Sequence, residues 1–140
     1  NQVLEHVFNP DDFISEIYRV LNDNGTLLLT VPFVWDEHEQ PYDCCRYSSF
    51  GISHLLEKHG FTILKKEKSV NDIRLIFQLL ILYIYKKCPI KNKYCRFLFT
   101  LMLISPINIL GEIAGLLFPE NNDLYLDNVI LAQKLKRNNV

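Results

Sequence analysis

Residues 38 to 51, HEQPYDCCRYSSFG, gather a histidine, an aspartate, an arginine, two tyrosines and two adjacent cysteines within a largely apolar chain. His38, an imidazole, could take a proton from a hydroxyl acceptor. Asp43 and Arg46 could clamp a polar ligand through the planar guanidinium, or pair with each other and order the loop. Trp35, Tyr42 and Tyr47 offer apolar bodies with polar tips, suited to a pocket wall or to core packing. A second group, Asn1, Gln2, Glu5 and His6, stands at the start of the chain.

Two further chemistries bear on the loop. Glu37, His38, Glu39, Asp43, Cys44 and Cys45 crowd together, but zinc wants ligands spaced as in C-x₂-C or H-x₃₋₅-H, and adjacent cysteines project apart. No metal is expected. A Cys44 nucleophile paired with His38 or His54 has no local signature behind it.

The elements that must hold these groups can be read from capping and periodicity. In NPDDFISEIYRVLNDNG, Asn9 can cap a helix whose first turn holds Pro10, Asp11 and Asp12, and apolar residues from Phe13 to Leu21 form one stripe. That spacing predicts a helix over about residues 10 to 22, with Gly25 as the left-handed residue near its end. Residues 26 to 31, TLLLTV, read as a strand buried on both faces. The loop follows, then a Ser-capped helix terminated by Gly60, a strand at 61 to 67 and a further strand at 126 to 134.

Residues 72 to 123 differ in composition. Two apolar runs, 73 to 85 and 97 to 118, flank a basic connector with Lys86, Lys87, Lys91, Lys93 and Arg96. The first run is short for a membrane span of about 20 residues. The second is long enough, but Pro106, Asn108, Glu112 and two glycines are expected to break it. A transmembrane helix, an interfacial hairpin and a lid or dimer surface all stay open. The organisation expected is therefore 1–71, an apolar helical insertion at 72–123, and a final strand and tail at 124–140.

The totals narrow the partners. With 140 residues, 49% of them hydrophobic, the chain has core material for one domain. A formal net charge of −1 gives no global attraction to a polyanion, so no nucleic-acid partner is expected. Four cysteines without CxxC pairs point to a reducing, cytoplasmic setting, with peripheral membrane contact left to the insertion. No secretory leader is expected, and the start at Asn1 reads as a fragment or a trimmed chain.

The stretch VLEHVFNPDDFISEIYRVLNDNGTLLLTVPF resembles the second half of a class I S-adenosylmethionine-dependent methyltransferase. The likeness lies in Leu4-Glu5-His6, Pro10, Glu16 with Arg19-Val20-Leu21, Gly25 and the strand ending Val31-Pro32-Phe33. His38, Pro41, Tyr42, Asp43, Arg46, Tyr47, Ser48 and Gly51 look like the H-x-x-P-Y-D-x-x-R-Y-[ST]-x-x-G pattern of one subgroup.

The resemblance implies an α/β fold: the C-terminal part of a Rossmann-like doubly wound methyltransferase sheet, with an apolar helical insertion before the last strand. The three strands would match the fifth, sixth and seventh, the seventh lying antiparallel between the other two. It implies S-adenosylmethionine as cofactor, with Asn1, Gln2, Glu5 and His6 on the cofactor side, and His38 as the base. Trp35, Tyr42, Asp43, Arg46 and Tyr47 would meet a small-molecule, sugar or lipid acceptor, and a homodimer is one expected assembly. The family's glycine-rich turn is missing, since the five glycines contain no G-x-G. These residues would form only the rear wall of the cofactor pocket. A non-catalytic remnant or partner subunit is the competing expectation.

Overall fold

The computed structural model describes residues 1–135. They fall into two compact units: Asn1–Ser69 together with the segment from Leu126, and Val70–Tyr125.

In the first unit, a 3₁₀ turn at Leu4–His6 precedes helix α1, Pro10–Val20. The Asn9 side chain accepts from the Asp12 N–H, and Asp11 and Asp12 face the positive end of the helix. Beyond α1 the left-handed residue is Asn24, at φ 60°, and not Gly25 as expected. Gly25 answers a different need, because a Cβ there would lie 2.8 Å from the Asn22 carbonyl oxygen. Strand β1, Thr26–Pro32, leads into the loop, and α2, Ser49–Lys58, opens with the Ser48 hydroxyl accepting from the Gly51 N–H at 3.1 Å. Gly60, at φ 88°, then turns the chain into β2, Phe61–Ser69.

The sheet is closed by β3, Asp127–Lys134, in the order β1-β3-β2. β3 runs antiparallel to both neighbours, so the last strand among the described residues is the middle one of the sheet. Leu29 lies opposite Ile130, Ile63 opposite Ala132, and an irregularity between Ile63 and Lys65 leaves Leu64 out of register. This is the order and direction expected for the fifth, seventh and sixth strands.

Ile14 of α1 and Ile52 and Leu56 of α2 pack with Leu29, Val31 and Ile130, each nearly inaccessible. Burial of each such side chain is worth about 2 kcal/mol before the entropy of ordering it is counted. β1 was expected to be buried on both faces, yet Leu28 is 57% exposed. The helices share the face of Leu29 and Val31, and Leu28 points to the other. Lys134 Nζ donates to the Tyr18 and Leu21 carbonyls at 2.8 Å each, which ties β3 to the end of α1.

The second unit holds α3, Arg74–Lys87, α4, Lys93–Phe99, a π-helical turn at Thr100–Ile104, and α5, Ser105–Leu117. The expected break at Pro106 does not occur: α4, the π turn and α5 form one continuous helix, Lys93–Leu117. The π turn ends at Ile104, two residues before the proline, where its wider bonding pattern accommodates the missing donor. Gly111 and Gly115 do not break the helix either. A Cβ at Gly111 would fall 2.9 Å from Phe77 Cβ, and one at Gly115 2.9 Å from Arg74 Cδ, so these glycines let α5 approach α3. The continuous helix is long and apolar enough to cross a membrane, and it leaves Met102, Leu116 and Leu117 at 75% exposure or more.

Candidate functional site

At the carboxyl end of β1 the chain leaves Pro32 and winds through the polar loop to Ser48. Backbone bonds fix both ends: Phe33 N–H donates to Leu126 O at 2.8 Å, and Tyr47 N–H to Pro32 O at 3.2 Å. The middle is tied to the start of the chain, because Cys44 and Cys45 N–H both donate to Glu5 O, at 2.8 and 3.1 Å. The loop and the Leu4–His6 turn are thus held together, although most of a helix, a strand and a connector separate them in sequence.

Along this edge runs a cleft of about 300 Å³ lined by Gln2, Pro32, Trp35, His38, Leu126 and Asp127. A recess of about 210 Å³ lies beside it, lined by Trp35, Glu37, Asp43, Cys44, Cys45 and Arg46. Trp35 borders both. Open α/β sheets place ligands outside the carboxyl ends of their strands, which is where this cleft lies.

The sequence-predicted residues occupy distinct places around it. Gln2 donates its backbone N–H to Thr30 O and its side chain to Asp127 Oδ1, both at 3.0 Å, so it follows the free edge of β1. Asn1, beside it, is exposed. His6 places Nδ1 3.2 Å from Tyr42 O, and its ring meets that of His38 edge to face with centroids 4.9 Å apart. Glu5 is fully buried and does not line the cleft; neither of its carboxylate oxygens has a hydrogen-bond partner. Tyr42 is 58% exposed and stacks edge-on with Phe8. The Tyr47 hydroxyl is buried without an oxygen or nitrogen partner, and burial, followed by the Cys45 sulfur beside it, pushes the phenol well above its ordinary range.

Asp43 and Arg46 are each other's partners. Both guanidinium terminal nitrogens reach the carboxylate, and they also donate to Cys45 O at 2.9 Å and Asp36 O at 3.0 Å. The Arg46 bonds hold the Asp43 carboxyl well below the usual carboxylate range despite its burial. Asp43 Oδ2 also accepts the His38 backbone N–H at 3.0 Å. His38 Nδ1 stands 3.2 Å from Asp36 O and 3.3 Å from Asp43 Oδ2. Both neighbours accept only, so Nδ1 carries the hydrogen and Nε2 the lone pair in the neutral ring. The cysteines are free thiols, and Cys44 Sγ donates to Tyr42 O at 3.3 Å.

Sequence reasoning missed Asp127, which sits in the cleft and binds Gln2 and the Ser69 hydroxyl. Its signal was an aspartate opening the last strand, hidden by the long insertion before it.

No family model and no curated protein matches this sequence. Solved structures do match in three dimensions. Phosphoethanolamine N-methyltransferase 2 of Haemonchus contortus, in complex with S-adenosyl-L-methionine, superposes with a TM-score of 0.51 at 18% identity, over 96% of this chain and 32% of its own. A putative sarcosine dimethylglycine methyltransferase from Galdieria sulphuraria gives 0.51 at 13% identity, over 96% and 51%. The cyclase SpnF gives 0.52 at 18% identity, over 96% and 47%.

The described residues have part of the class I S-adenosylmethionine-dependent methyltransferase fold. The chain spans between a third and about half the length of these structures. By their names, two catalyse methyl transfer and one a cyclisation, so this fold alone does not set the reaction.

Proposed function

We propose that this chain is the C-terminal portion of an S-adenosylmethionine-dependent methyltransferase acting on a small-molecule, sugar or lipid acceptor. The observation that carries the reading is the cleft at the carboxyl end of β1, in a sheet whose last strand is threaded antiparallel between the other two. The residues present fit one end of the cofactor. Gln2 and Asp127 offer polar groups at the cleft, with His6 nearby and Asn1 exposed beside them, whereas no glycine-rich turn is available for the remainder. Glu5 is withdrawn from the cleft and is set aside as a cofactor contact.

When bound, S-adenosylmethionine supplies an electrophilic methyl on a sulfonium. The chain's own part is to align the acceptor, exclude water and take its proton. His38 takes that proton at Nε2, since its Nδ1 is anchored by Asp36 O. Asp43 and Arg46 hold the His38 backbone in place, while Trp35, Tyr42 and Tyr47 shape the acceptor side of the loop.

Calorimetry tests the reading. The 140-residue chain should bind S-adenosylmethionine weakly or not at all, and a longer chain carrying a glycine-rich turn should bind it tightly. Equally tight binding by both would remove the argument that only the rear wall is here. No binding by the longer chain would favour a non-catalytic partner subunit. In a competent enzyme, His38→Ala should depress turnover more than cofactor affinity.

A second reading concerns Lys93–Leu117, whose exposed apolar surface and basic approach favour peripheral contact with a membrane, ahead of a homodimer.

A further inference from the structure

A fully buried carboxylate without a donor is costly, because a group taken from water needs a compensating partner. Glu5 is such a group, with both oxygens unpartnered. The Arg46 charge acts on it at longer range but makes no bond to it. Two histidines stand near it, His6 from the 3₁₀ turn and His38 from the loop. His6 Nε2 is 3.8 Å from Glu5 Oε1, and one donor atom each of Glu5, His6 and His38 lie within 4.8 Å of one another.

The tautomers sharpen the observation. His6 Nδ1 is anchored by Tyr42 O, and His38 Nδ1 by Asp36 O with Asp43 Oδ2 beside it. Each anchor accepts only, so in both neutral rings Nε2 keeps the lone pair. At His6 that lone pair is turned toward a carboxylate, an arrangement that repels unless a proton or a metal cation stands between them. In metal-bound histidines the distal ring nitrogen likewise donates to a carbonyl or carboxylate.

We propose that Glu5, His6 and His38 form a binding site for a divalent first-row transition metal, with three protein ligands and at least one open position. Two imidazoles and one carboxylate suit zinc, cobalt or iron better than magnesium or calcium, which prefer all-oxygen sets. Ligands about 2.1 Å from a tetrahedral zinc lie about 3.4 Å apart, so small side-chain rotations close the observed spread. The loop cluster of Asp43, Cys44 and Cys45 is not this site. Its spacing does not suit zinc, whereas the fold brings Glu5 and His6 to His38 across a helix and a strand. The inference stands on geometry and does not depend on methyl transfer. It does alter one part of that reading, since a ligating His38 is not a free base.

The test is a Co²⁺ titration of the purified chain, followed by visible absorption and by displacement with Zn²⁺. Saturable one-to-one binding with ligand-field bands is expected, together with a rise in melting temperature on adding Zn²⁺. His6→Ala and His38→Ala should each weaken binding by about tenfold or more. Glu5→Gln keeps the volume, should abolish the thermal gain, and should itself raise the melting temperature of the metal-free chain. If Glu5→Gln does not fold, the two histidine variants decide. A sulfur-to-cobalt charge-transfer band would place the metal on cysteines and overturn the site. So would binding unchanged in both histidine variants, or binding of Mg²⁺ without Co²⁺. Because neither S-adenosylmethionine nor an acceptor is present, failure of the methyltransferase reading would leave this result untouched.

Discussion

Asp43 and Arg46 complete one another inside the loop: the carboxylate is 2% exposed, and both terminal nitrogens of the guanidinium reach it while also donating to backbone carbonyls. Removing the arginine leaves a buried carboxylate with little more than the His38 backbone N–H. Arg46→Met should therefore cost about 3 kcal/mol of stability, read from urea unfolding. Arg46→Lys should fall between, since one ammonium cannot span two carboxylate oxygens and two carbonyls. A rise in acceptor KM with unchanged unfolding would instead show a guanidinium that serves substrate.

Asp11 joins α1 to α2. Lys58 Nζ donates to Asp11 Oδ1 at 2.6 Å, and His59 Nε2 lies 2.8 Å from the same oxygen. The Lys58 bond, then the His59 bond, lowers the Asp11 pKa in the folded chain. A depressed folded value contributes stability that is complete above the unfolded aspartate value of about 4 and is lost as pH falls through the folded one. Asp11→Asn should therefore flatten the fall in melting temperature below about pH 4 and lower the plateau above it. Parallel curves for the two proteins would show that the pair adds nothing.

Val70 has φ 44°, a left-handed conformation that a β-branched residue rarely adopts. The strain is worth about 1–3 kcal/mol, part of which glycine returns through the entropy of its unfolded chain. Val70→Gly should accordingly stabilise the protein by about 1 kcal/mol in chemical denaturation, whereas Val70→Ala should not.

The apolar helix Lys93–Leu117 and the basic residues before it predict binding to anionic vesicles that weakens with salt, because each surface lysine or arginine is worth about 1 kcal/mol. Lys91→Glu with Lys93→Glu should abolish the lipid-charge dependence in co-sedimentation. Pelleting that ignores lipid charge, salt and the double substitution would assign the surface to protein contacts.

How far the sequence could be read depended on the range of the interactions. Asn9, Ser48 and Gly60 act on their own neighbours, and their caps and turn were legible. The partnership of β3 with β1 followed from the family resemblance, and the structure shows it residue by residue. Local reasoning failed where a distant atom decides. Asn24 takes the left-handed turn because Gly25 is reserved for contact with Asn22. Pro106 does not end its helix because a π turn precedes it. Glu5 reads as a polar residue near the chain start, and only the fold reveals that it is buried near two histidines.

The central position of β3 has a consequence for synthesis. β1 and β2 emerge from the ribosome well before Asp127–Lys134, the strand with which each of them pairs among the described residues. Throughout translation of Val70–Tyr125, the edge that each strand will offer to β3 stays unpaired, the condition in which nascent chains aggregate or recruit chaperones. A ribosome that stalls within the insertion would prolong the time for which these two edges wait for β3, so steady elongation through this apolar stretch favours correct pairing.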